Sequence, residues 1–130
     1  MSYFLNKFDA TLLDVRTRQG RRMWRMDAPL SYYSTKLGRV ITVPAGFITD
    51  LESAPRWPVV YWLVGDLVQE PAVLHDFCYS TGLFPRDVCD ALLMEAAIAT
   101  GTPTWQASLI WAGVRIGGAG SYGNQYTATR

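Results

Sequence analysis

The 130-residue sequence predicts an α+β fold: a small antiparallel sheet from the N-terminal half, then a C-terminal half of three to four helices. Short alternating runs end in turn residues before position 50, and from Ser53 onward prolines begin, and glycines end, a series of apolar segments. The length suits one domain with one hydrophobic core, here spanning residues 1–130. Its parts are a strand region (1–50), a helical region (53–118) and a glycine-rich tail (119–130).

Thr11 to Arg18 and Arg21 to Met26 flank Gln19-Gly20 and read as a hairpin, and Arg39 to Val43 alternates before Pro44-Ala45-Gly46 turns the chain. Pro55 or Pro58 opens a short apolar segment, and Pro71, Pro85 and Pro103 open the next helices. Gly82 and Gly101 sit where two of these helices should stop. Within Arg86 to Thr100, Val88, Leu92, Glu95 and Ala99 mark one line, with Ala91, Ala96 and Ile98 extending an apolar surface. A last helix, Trp105 to Ile116, runs into Gly117-Gly118-Ala119-Gly120, which reads as loop.

Apolar residues make up 49% and charged residues 18%, a balance that excludes disorder and suggests a greasy surface or a docking face. Charge is segregated: the first 40 residues hold eight basic and three acidic side chains, residues 41–100 two basic and eight acidic. No run reaches the ~18 apolar residues of a membrane span, and Lys7, Asp9 and Asp14 interrupt any signal-peptide pattern, so synthesis in the cytoplasm is expected. Cys78 and Cys89 are too few for a disulfide framework or a zinc cluster, and one bridge between them is an option only outside the cell.

The single histidine, His75, is followed by Asp76 and, one helical turn on, by Tyr79. Adjacent helical side chains diverge by about 100°, so His75 and Asp76 cannot face one target. The turn Ser80 to Pro85 is short enough to make the next helix an antiparallel neighbour, which lets Asp90 reach a ring nitrogen. A carboxylate on one nitrogen leaves the other as a base for water. The competing reading is a helix hairpin whose His and Asp merely pair. In Thr49-Asp50-Leu51-Glu52-Ser53, either Asp50 or Ser53 caps the following helix, or Asp50 converges with Asp76 on a cation. Oxygen donors and a lone histidine favour calcium or magnesium over zinc. The cluster Arg16, Arg18, Arg21, Arg22 and Arg25 forms a basic hairpin tip, but a net charge of +1 argues against a dedicated nucleic-acid binder. Trp57, Tyr61, Trp62, Trp105 and Trp111 are expected mainly in the core, with one or two left to anchor a partner.

The run Val43-Pro44-Ala45-Gly46-Phe47-Ile48-Thr49-Asp50-Leu51-Glu52-Ser53-Ala54-Pro55, with Ala72 to Asp76, Tyr79, Arg86 and Asp90, resembles the small phage and prophage proteins catalogued as domain of unknown function 1353. The resemblance covers about residues 40–118 and implies a tailed-phage or prophage origin among late tail or lysis genes, with a place in the virion or the host cytoplasm. More locally, His75-Asp76-Phe77-Cys78-Tyr79 and Cys89-Asp90 are similar to the catalytic helix pair of calcium-dependent secreted phospholipases of class A-two. That likeness implies His75 as the water-activating base, Asp76 as a calcium ligand, Asp90 and Tyr79 as orienting groups, and a bridge from Cys78 to Cys89.

Two functions follow as expectations. One is a cation-assisted hydrolase acting on phospholipid or peptidoglycan at the host envelope, with His75, Asp90 and Tyr79 catalytic and Asp76 and Asp50 on the metal. The other is a virion tail or assembly protein, partnered by other phage structural proteins, whose His–Asp cluster is a hydrogen-bond network. An accessible hollow beside His75 favours the first, and a sealed cluster the second.

Overall fold

A computed structural model describes residues 1–16, 22–49 and 69–117. Among the described residues six strands, β1 (Tyr3–Phe4), β2 (Ala10–Arg16), β3 (Arg22–Met26), β4 (Leu30–Ser34), β5 (Arg39–Val43) and β6 (Ile48–Thr49), precede three helices. The helices are α1 (Gln69–Thr81), α2 (Arg86–Ala99) and α3 (Thr104–Gly117). The α+β expectation holds, but the described strands make two antiparallel three-stranded sheets, in orders β1-β4-β5 and β2-β3-β6, where one was expected. The division comes from long-range pairing: β1 lies against β4 and β6 against β3, and neither partnership follows from a local turn.

Strand β4 supplies the strongest alternation. Leu30, Tyr32 and Ser34 point inward and are fully buried, while Ser31 and Tyr33 face out. The β4–β5 turn closes at Gly38, whose φ of 64° suits glycine, and its amide donates to the Ser34 carbonyl at 2.8 Å. Ile41 and Val43 of β5 then extend the same apolar face. Against it pack Val73, Leu74 and Cys78 of α1 with Cys89, Leu92 and Ala96 of α2, forming the main core. Each buried large aliphatic here contributes about 1.5–3 kcal/mol.

The helix boundaries follow their punctuation. Pro71 sits in the first turn of α1, and Gly82, at φ 62°, ends it. Pro85 occupies the N-cap of α2, with extended backbone and no side-chain cap. Gly101, at φ 105°, separates α2 from α3. The buried face of α2 differs from the line drawn through Val88 and Ala99: it is formed by Cys89, Asp90, Leu92, Leu93, Ala96 and Ala97, and Ile98 is exposed. The face is broader than one line because α2 is covered on two sides, by the sheet at Leu92 and Ala96 and by α3, whose Ile110 and Val114 enclose Leu93. The short segment after Pro55, with Trp57, Tyr61 and Trp62, lies outside the described residues, as do the tail from Gly118 and Arg18 and Arg21 of the basic hairpin. Among the described residues, no helix is long and apolar enough to cross a membrane.

Candidate polar site between the helices

His75 and Tyr79 are one turn apart on α1 and present adjacent rings, with centroids 4.2 Å apart, towards α2. Asp90 enters from the facing turn of α2. Its Oδ1 lies 2.9 Å from His75 Nε2 and accepts the Tyr79 hydroxyl at 2.6 Å. Oδ2 accepts Arg115 Nη1 of α3 at 2.9 Å. One carboxylate thus gathers donors from α1 and α3 onto α2, and it is 0% exposed, with His75 at 1%.

Arg86, at the start of α2, extends this arrangement. Its Nε donates to the Tyr79 oxygen at 3.2 Å, and its Nη2 donates to the carbonyls of Val114, at 3.0 Å, and Arg115. These are last-turn carbonyls of α3, which lack intrahelical donors and carry the negative end of the helix dipole, so a guanidinium there satisfies both. Tyr79 both accepts from Arg86 and donates to Asp90, and the two bonds polarise each other.

The electrostatics fix the protonation pattern. Burial alone would raise the Asp90 carboxyl, but donors from His75, Tyr79 and Arg115 outweigh it and hold the group below its ordinary range. An ionised Asp90 only accepts, so Nε2 carries the ring proton and Nδ1 holds the lone pair. Burial lowers the His75 pKa, Asp90 opposes this through its bond and charge, and Arg86 adds to it; the net shift is downward, leaving a neutral imidazole. The Tyr79 hydroxyl is pushed up, first by burial and then by its bond to Asp90.

Asp76 points elsewhere, as the divergence of adjacent helical side chains requires. Its Oδ2 accepts the Thr49 hydroxyl at 2.6 Å, tying α1 to the end of β6. Asp50, the next residue, lies outside the described residues, so a convergence of Asp50 with Asp76 does too. Calcium takes six to eight oxygen ligands. Among the described residues no cluster of three or more His, Cys, Asp or Glu side chains is gathered for a metal. Cys78 and Cys89 are free, buried thiols, not a bridge. The two thiols influence each other: Cys89 and then burial raise Cys78, whereas Cys78 lowers Cys89, and the Cys89 thiol donates to the Phe84 carbonyl at 3.4 Å.

Of the residues singled out from the sequence, the structure brings together His75, Tyr79 and Asp90, and separates Asp76 from them. Arg115 was not singled out, and Arg86 only as part of a motif. A signal for Arg115 existed, since it is the one charged residue in the segment Thr104–Gly117. Elsewhere, Glu95 accepts the Tyr32 hydroxyl at 2.7 Å and the Lys36 amide at 3.3 Å, joining α2 to the β4–β5 hairpin. Arg25 pairs with Asp27 at 3.4 Å on the surface.

No curated protein and no solved structure matches the chain. A family described as protein of unknown function (DUF1353) matches residues 24–114, a span that includes His75, Tyr79, Arg86 and Asp90. The chain belongs to that family of uncharacterised proteins.

Proposed function

We propose that this protein is a non-enzymatic structural or assembly component of a tailed-phage or prophage virion, in which the His75–Asp90 cluster is a buried network that sets the packing of three helices. The observation that carries this reading is the burial of Asp90 at 0% and His75 at 1%, with donors from α1 and α3 on the two oxygens of one α2 carboxylate. Such a network adds little to stability over an apolar core of equal volume, but losing one partner strands a buried charge and is costly. Its use is to fix one arrangement of α1, α2 and α3. The phage assignment rests on the motif resemblance, and the low charged fraction of 18% agrees with a protein that docks onto others.

A second reading, a hydrolase acting at the host envelope, is favoured by one specific feature. Asp90 occupies Nε2 at 2.9 Å, which leaves the Nδ1 lone pair as a base for water and places a carboxylate to stabilise the imidazolium. Replacing His75 by Asn separates the two. Wild type and variant are incubated with anionic phospholipid vesicles or peptidoglycan, with and without calcium, and both are unfolded in urea. The structural reading expects no His75-dependent release of fatty acid or sugar fragments and a lowered unfolding midpoint. Turnover abolished by the substitution, with the midpoint unchanged, would establish the hydrolase instead.

A further inference from the structure

A hollow of about 220 Å³ opens between α2 and the β4–β5 turn and shares no residue with the His75 cluster. Its walls are apolar, from Leu37 of the turn and from Val88, Ala91 and buried Leu92 of α2. It is smaller than the ~300–1,000 Å³ of small-molecule pockets and takes one side chain rather than a free ligand. Asp87, Ala91 and Glu95 follow one another at spacings of four, so a carboxylate stands one turn to either side of Ala91, and the two are about 12 Å apart along the helix. Asp87 is exposed and makes no hydrogen bond or ion pair among the described residues. Glu95 is anchored by the Tyr32 hydroxyl at 2.7 Å and the Lys36 amide at 3.3 Å, and a carboxylate, with about four acceptor sites, has room for further donors. Lys36 is the one basic side chain of the lining, against two carboxylates, so the hollow keeps a negative rim.

We infer that this hollow is a docking site for an extended segment of a partner protein that presents a basic, an apolar and a second basic residue at alternate positions. In an extended chain such residues point to one side, and the outer two are about 13 Å apart. That matches the span from Asp87 to Glu95, with the central apolar side chain over Ala91, whose single methyl leaves the room. The basic ends meet the two carboxylates while their aliphatic stems cover Val88 and Leu37. An acidic segment, a nucleic acid or an anionic lipid surface is repelled by the same carboxylates. Ion pairs in this exposed setting are weak, so the isolated segment should bind with a Kd near ~1 mM. The inference is independent of the role of His75.

The test is a titration of the isotope-labelled full chain with the capped pentapeptide Arg-Ala-Leu-Ala-Arg, to about 10 mM, followed by amide nuclear magnetic resonance shifts. Saturable shifts confined to residues 34–37 and 87–95 are expected. A peptide with glycine at the centre should bind about tenfold more weakly, because the apolar anchor is gone, and Glu-Ala-Leu-Ala-Glu should not bind. Asp87→Asn should weaken the contact by roughly two- to fivefold, and Ala91→Met, which fills the hollow, should remove it, both with unchanged far-UV circular dichroism. These substitutions are chosen because Glu95→Gln would also disturb the bond from Tyr32. Absence of saturable shifts, shifts centred elsewhere, equal binding of the glutamate peptide, or binding unaltered in Asp87→Asn or Ala91→Met would each overturn the site. Shifts at the same amides that follow protein concentration alone would assign the hollow to a second copy and overturn it as well.

Discussion

Replacing Asp90 by Asn changes almost no volume and reverses the polarity of one acceptor, which makes it a sharp probe of the cluster. The amide oxygen can still accept from His75 and Tyr79, but those bonds lose their charge assistance, worth about 1 kcal/mol each. The amide nitrogen now faces Arg115 Nη1, donor against donor, where Oδ2 accepted at 2.9 Å. Arg115 is 33% exposed, so its ion pair counts for less than about 1 kcal/mol after solvent screening. The expected loss is about 3 kcal/mol, a large share of the roughly 5–15 kcal/mol typical of a domain, and a fall in Tm of about 10 °C. Urea unfolding followed by far-UV circular dichroism reads this as a lower midpoint with an unchanged slope. Asp87→Asn, at an exposed position on the same helix, is the control and should shift by no more than about 0.5 kcal/mol. A loss below about 1 kcal/mol for Asp90→Asn would refute the reasoning, because the carboxylate would then not be holding the helices.

Stability should also depend on pH through His75. Its pKa in the fold lies below 6.5, so only the unfolded chain gains a proton as pH falls through that value. The contribution is complete above about pH 6.5 and declines below it, by up to ~1.4 kcal/mol per pH unit, and His75→Gln should flatten this slope below about pH 6.5. Asp90 acts lower: its depressed pKa gives stability that is present above 3.8 and lost as pH falls through its value in the fold. Identical slopes for wild type and His75→Gln would contradict a buried neutral ring. At the sheet, Tyr32→Phe removes the donor to Glu95 and should cost about 1–2 kcal/mol in the same urea experiment. A neutral result there would mean that Glu95 is satisfied by water.

The helical hairpin was legible because its information is local. One-turn spacing sets His75 beside Tyr79, a short turn returns the chain, and Gly82 and Gly101 mark ends that the backbone dihedrals confirm. Strand β5 was read residue for residue from its alternation. Strand β4 was missed because Tyr32 and Tyr33 stand side by side and blur a period that only burial resolves, one ring inside and the other out. The partition into two sheets depends on contacts between distant segments, for which alternation carries no signal. Arg115 reaches Asp90 from 25 residues away, and Arg86 caps a helix that begins well after it, so both roles exist only once α3 is folded back.

His75 is the chain's only histidine, so its imidazole nitrogens give unambiguous nuclear magnetic resonance signals, and their titration tests the sealed network most directly. The account predicts a proton fixed on Nε2, slow to exchange with water, and a ring that is still neutral as pH falls through 6.5. A rapidly exchanging ring that titrates near 6.5, as a solvent-facing histidine does, would contradict it.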